Sequence, residues 1–351
     1  MKLYRLREPQ ATPEKILVIF PGALGDFICF LPALSALSKV SRLDLFARET
    51  YAQLLPTGIR ACSLERNEIS RLFVEGAERD ERLRRFFASY GFVYSWMGSG
   101  QPDFVKHLQE LSDGRAQIFP FRPLCSGVHM VDYYLSCLDL KHLKPHSPLI
   151  PLATDALNWG FRFCRENGFG DQRILILAPG SGAKEKNWPI RYYKVVAQWW
   201  EEKIEGNVIV LLGPAEEDGV EIENHWKHGF VVRSLDLAPL AALLIRCEIF
   251  LGNDSGVTHL AAALGIKTVA LFGPTDPMQW MPRGQNVCVT RLKLECSPCG
   301  DSFKKACSHR SCLTALSPSD VIARLEAVLR APAEFGEVTQ EHSLDKVKSR
   351  G

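Results

Sequence analysis

Continuous apolar runs alternate along this chain with segments of helical spacing. Lys15 to Phe20 (KILVIF) is apolar without alternation after its first residue, the pattern of a strand buried on both faces of a parallel sheet. Arg173 to Ala178, Val208 to Leu212, Ile249 to Leu251 and Lys267 to Phe272 also read as strands, and Arg42 to Phe46 as the strand that follows the first helix. Between them, Phe27 to Val40 brings Phe27, Phe30, Leu31, Leu34 and Leu37 to one helical face, with Pro32 expected to kink the helix or delay its start. Further helices are predicted over Val128 to Leu140, Ala156 to Asn167, Ile190 to Ile204, Leu237 to Arg246, around Ala261 to Leu264, and over Pro318 to Leu329. Ala61 to Gly114 is less regular: Phe92 to Trp96 reads as a strand before the Gly98-Ser99-Gly100 turn, and Glu78 to Arg85 as an exposed helix or loop.

The repeated strand-helix order predicts an α/β protein with doubly wound parallel sheets. The three prolines of Lys141 to Pro151 mark a linker. They divide the chain into an N-terminal domain, 1–150, and a C-terminal domain, 151–330, before a polar tail, 331–351, expected to be disordered. In the second domain, turns of small residues follow the strand ends at Ala178, Leu212, Leu251 and Phe272. In a parallel sheet these turns converge on the C-terminal edge, where helix N-termini and backbone N–H groups bind phosphates.

Composition narrows the class. The 351 residues allow two domains, and 46% hydrophobic with 23% charged residues is globular. A net charge of +2 gives no electrostatic drive toward nucleic acid. No apolar run approaches the ~18 residues of a membrane span, and the polar N-terminus lacks an apolar signal core. Of eleven cysteines, Cys29, Cys137, Cys164 and Cys247 sit in apolar contexts, as buried thiols in a reducing compartment do. The expected location is the cytoplasm, with peripheral contact at the inner membrane face left open.

Several positions carry candidate chemistry beside an ordinary structural role. Asp26, at the mouth of the first sheet, fits a general base or a helix cap. Gly180, Ser181 and Gly182 let a backbone approach an anion that Lys184 or Lys186 would neutralise, although the order is not that of a Walker loop. Glu216, Glu217 and Asp218 either complement a helix dipole or supply a ribose ligand. Asp254, Ser255 and Gly256 open a helix and fit a cap or a phosphate and sugar site, while His259 fits a core position or a donor contact. Cys296, Cys299, Cys307 and Cys312, with His309 among them, fit a structural zinc or other thiolate-bound metal, free thiols, or disulfides.

Taken in order, ILVIFPGALGDFICFLPAL, PGSGAKEKNWP, LLGPAEED, GNDSGVTHLAAALG and FGPTDP resemble the lipopolysaccharide heptosyltransferases of glycosyltransferase family nine, from Ile16 to Leu329. The resemblance implies two Rossmann-like domains facing a cleft, the GT-B type, and an inverting, metal-independent glycosyltransferase. It would pass heptose from ADP-heptose to a lipopolysaccharide core or related saccharide or glycolipid acceptor, with no cofactor required for catalysis. It implies that Asp26 is the catalytic base, that Lys186 meets the diphosphate, and that Glu216, or Glu217 beside it, lies near the ribose. Asp254, Ser255, Gly256 and His259 would hold the donor sugar and diphosphate. Pro21 to Leu24 departs from the family pattern in being apolar. Arg82, Arg84, Arg85, Phe86 and Phe87 would either meet the acceptor or form an ordinary charged helix. Two other classes fit the same architecture: a nucleotide-sugar epimerase and a non-catalytic nucleotide-binding protein.

Overall fold

The computed structural model describes residues 15–143, 150–170, 172–213, 226, 228–299 and 307–331. Its first sheet is β1 (Lys15–Ile19), β2 (Arg42–Ala47), β3 (Ile59–Ser63), β4 (Phe92–Ser95) and β5 (Ala116–Ile118), in the order β3-β2-β1-β4-β5 with every pair parallel. The second is β6 (Ile174–Ala178), β7 (Asn207–Leu212), β8 (Phe230–Arg233), β9 (Ile249–Asn253), β10 (Lys267–Leu271) and β11 (Val287–Thr290). It runs β11-β10-β9-β6-β7-β8 and is also parallel throughout. Both are doubly wound sheets, as the unalternated apolar runs require. Strand order reverses between β1 and β4 in the first sheet and between β6 and β9 in the second, and ligands of such sheets bind beyond the strand ends at that reversal.

The main helices are α1 (Leu24–Ser38), α2 (Glu81–Ala88), α3 (Pro102–Leu111), α4 (Met130–Cys137), α5 (Thr154–Glu166), α6 (Ile190–Trp199), α7 (Leu237–Ile245), α8 (Gly256–Ala263), α9 (Pro277–Trp280) and α10 (Pro318–Arg330). α1 begins before Phe27 and carries Pro32 in its interior, so the proline does not delay it. An interior proline costs ~3 kcal/mol. Burial of Phe27, Phe30, Leu31 and Leu34 offsets this at roughly 1.5–3 kcal/mol for each side chain. The charged segment after Glu78 becomes α2, capped by the Asp80 carboxylate on the N–H groups of Arg82 and Leu83. Leu83 and Phe87 are buried in the first sheet's core, and Phe86 packs against it. Arg84 and Arg85 donate to the carbonyls of Glu78 and Glu81.

The chain forms two compact units. One comprises Met1–Ala23, Phe30–Ser126 and Val131–Leu143; the other comprises Leu24–Cys29, Gly127–Met130 and Lys144–Gly351. A single boundary at 150 does not anticipate that two short N-terminal segments, including the first turn of α1, group with the second sheet. In that second unit β9 runs into α8 through Gly252, where a Cβ would stand 2.7 Å from both the Phe250 ring and Thr258 Oγ1. Gly252→Ala is therefore expected to destabilise the protein by about 1–3 kcal/mol, as overpacking does. Thermal unfolding checks this, and an unchanged melting temperature would contradict the close packing of β9 under α8.

Candidate active site

The loops after β6 and β9, neighbours at the reversal of the second sheet, are tied together by one side chain. Asn253 is fully buried at the end of β9. Its Oδ1 accepts from the Trp188 backbone N–H at 2.9 Å and the Tyr193 hydroxyl at 3.0 Å, and its Nδ2 donates to the Pro179 carbonyl at 2.7 Å. These bonds satisfy a buried amide that would otherwise cost about 1–3 kcal/mol for each orphaned group. They also fix the course of Pro179 to Trp188. In the sequence Asn253 shows only as a lone amide closing an apolar strand.

Within that loop the expected donor residues separate into different roles. The Ser181 hydroxyl lies 2.7 Å from the Ala183 carbonyl and 2.6 Å from Asn187 Oδ1, so it braces its own turn. Lys184 is exposed, and its carbonyl accepts from Arg310. Lys186 reaches across to β9 and pairs with Asp254, Nζ to Oδ2, at 2.7 Å. Asp254 is 6% exposed, which keeps this pair less screened than a surface one.

Asp254 leads directly into α8. The Asp254 N–H donates to the Leu271 carbonyl of β10, and Ser255 caps the helix by accepting from the Thr258 N–H. The helix start thus presents its dipole and first N–H groups at the sheet edge. The first turn of α1 lies against it in the same unit. A Cβ on Gly256 would stand 2.8 Å from Leu24 Cβ and 3.0 Å from the Gly25 N, so glycine is what permits the approach. Asp26 is in that turn, 7% exposed, and its charge acts on the ring of His259.

His259 projects from the first turn of α8 and is 3% exposed. Its Nδ1 is 3.6 Å from Cys29 Sγ, and the ring hydrogen-bonds to the Trp280 backbone. Burial holds its pKa below the usual imidazole range, with Asp254 and Asp26 opposing that effect and Lys186 reinforcing it. The imidazole is accordingly neutral near pH 7.

Glu216, Glu217 and Asp218 lie outside the described residues. None of Cys296, Cys299, Cys307 and Cys312 forms a disulfide. They are close enough that Cys312 is pushed up to about 11, by burial first and then by Cys299, Cys307 and Cys296. Cys299 Sγ donates to the Cys296 carbonyl and Cys307 Sγ accepts from the Arg310 N–H. Among the described residues no group of three or more His, Cys, Asp or Glu side chains could hold a metal ion.

Comparison with known proteins gives this arrangement a context. The family model of glycosyltransferase family 9 (heptosyltransferase) matches residues 129–310, which include the loops after β6 and β9. The chain is 25% identical to lipooligosaccharide heptosyltransferase 2 of Campylobacter jejuni over 327 residues, covering 89% of this chain and 98% of that protein. It is 30% identical to lipopolysaccharide heptosyltransferase 2 of Escherichia coli over 183 residues, covering 47% of this chain and 50% of that protein. Among solved structures, a family 9 glycosyl transferase from Veillonella parvula superposes with a TM-score of 0.71 at 21% identity, covering 91% of this chain and 98% of that one. The ADP-heptose lipopolysaccharide heptosyltransferase II of E. coli gives 0.64 at 21% identity, covering 90% and 98%. These structures share the fold, two parallel-sheet α/β domains of the GT-B kind. With the matched family model spanning more than half of its residues, the chain belongs to glycosyltransferase family 9, the heptosyltransferases, and is a glycosyltransferase enzyme.

Proposed function

We propose that this enzyme transfers heptose from ADP-heptose to a saccharide of the lipopolysaccharide core, with inversion at the anomeric carbon. The observation that carries the reading is the placement of Asp26. Its turn of α1 belongs to the same compact unit as Lys186, Asp254 and the start of α8, packed on Gly256 through Leu24 and the Gly25 backbone. The carboxylate takes the proton of an acceptor hydroxyl as that oxygen bonds to the anomeric carbon. The bond from that carbon to the diphosphate breaks on the opposite face, and its electron pair leaves with ADP.

Charge accumulates on the departing diphosphate. Lys186 and the N-terminus of α8 are the groups that meet it, and fixed donors of this kind contribute ~3 kcal/mol each in comparable sites. With that compensation built into the fold, the proposed transfer needs no divalent cation. Asp254, at the mouth of α8, orients Lys186 and accepts from donor sugar hydroxyls. The acceptor is a lipid-linked saccharide met at the inner face of the membrane; among the described residues no helix is long and apolar enough to cross one.

Asp26→Asn keeps the shape of the side chain and removes the base. Turnover with ADP-heptose and a heptose-deficient core saccharide is expected to fall by about 10²–10⁴, the usual contribution of a general base, with ADP affinity by calorimetry little changed. Normal turnover in Asp26→Asn would overturn the assignment. ADP release at the same rate without any acceptor would overturn the transferase reading of the site. Lys186→Ala should act oppositely, weakening ADP binding by about tenfold or more, on the scale of a lost charge-assisted bond.

A further inference from the structure

We propose that Cys29 is a positioning residue for the transfer: it holds the His259 ring, and through that ring keeps the first turn of α1, with Asp26, seated on the start of α8. The inference rests on the reading of Asp26 as the base.

The geometry is a three-way clamp. His259 belongs to the first turn of α8. Its ring hydrogen-bonds the Trp280 backbone at the end of α9, and its Nδ1 lies 3.6 Å from Cys29 Sγ in α1. A neutral imidazole has one donor and one acceptor nitrogen. The Trp280 backbone bond raises the ring's pKa, as a carbonyl acceptor does, so the proposal gives the ring N–H to Trp280 and leaves Nδ1 to accept the Cys29 thiol proton. Gly25, four residues before Cys29 and on the same face of α1, completes the seat: a Cβ there would stand 3.4 Å from the ring Cδ2. The ring thus touches α1 on either side of Asp26 along the helix, and Gly256 leaves no slack beside it.

The charged groups acting on the ring are Asp254, Asp26 and Lys186. The thiol donates to neutral Nδ1 and so favours the neutral form. Its removal lets the ring protonate at higher pH, placing a cation beside the base. A misplacement of about 1 Å at a reacting group can cost ~10²-fold in rate, so a thiol that contacts neither substrate still controls turnover.

The test uses the full-length protein with Cys29→Ala, Cys29→Ser and Asp26→Asn in parallel. Rates are taken with ADP-heptose and heptose-deficient core saccharide, ADP binding by calorimetry, and the His259 ring nitrogens by NMR. Cys29→Ala is expected to lower kcat about tenfold or more with ADP affinity within about twofold of the parent. Its ring nitrogen signals should shift, and the acid limb of its kcat profile should move to higher pH. Cys29→Ser, which keeps a hydroxyl donor, should recover part of the rate and the parental ring signals. Parental kcat and ring signals in Cys29→Ala would overturn the proposal, as would a rate loss matched by an equal loss of ADP affinity. If Cys29→Ala does not fold, parental ring signals with no acid-limb shift in Cys29→Ser support it, and altered ring signals at parental kcat overturn it. Asp26→Asn separates the two readings: normal turnover there removes the base, whereas loss of turnover there with indifferent Cys29 variants removes only the clamp.

Discussion

The first turn of α1 packs on the start of α8 through the Leu24 side chain and the Gly25 backbone, and that contact exists because position 256 has no side chain. Much of the site follows from it. α8 begins where β9 ends, at the reversal of strand order in the second sheet. α1 begins after β1, the first strand of the other sheet, yet its first turn belongs to the second unit. Two helix N-termini are thereby held together within that unit, each with a carboxylate at its start, Asp26 on α1 and Asp254 before α8.

Such a junction is electrostatically self-consistent. Helix N-termini carry partial positive charge and stabilise nearby anions by ~0.3–1 kcal/mol at exposed sites and up to ~2 kcal/mol when partly buried. Asp254 is further paired with Lys186. The histidine between them stays neutral because burial outweighs the two aspartates, so it fills space and makes hydrogen bonds without adding charge. Positive potential then resides in Lys186 and the dipole of α8, the groups that the proposed transfer sets against a diphosphate, with Asp26 proposed as its base.

How much of this is legible in the residues depends on the range of the interaction. Parallel strands buried on both faces announce themselves as unalternated apolar runs, and the sheets formed from Lys15, Arg173 and Ile249 onward follow that signal. The small-residue turns likewise mark the binding edge. Burial energy is not visible in a local window, so Pro32 reads as an obstacle to α1 although the apolar face around it outweighs its cost. The roles of Asn253, Cys29 and Gly256 depend on partners 60 to 232 positions away, Tyr193 with Asn253 and Leu24 with Gly256. Those roles appear only when the strands are placed side by side. Ser181 and His259 read either as ligand contacts or as structural positions, and their polar atoms have partners within the protein.

A crystal structure of this chain with ADP bound would measure the central relation, that the base and the donor loops form one preassembled site. The account predicts diphosphate oxygens about 3 Å from Lys186 Nζ and from the first N–H groups of α8, with Leu24 to Cys29 still packed on Gly256 and His259. A diphosphate bound away from α8, or a first turn of α1 lifted off Gly256 so that Asp26 leaves the donor loops, would contradict it.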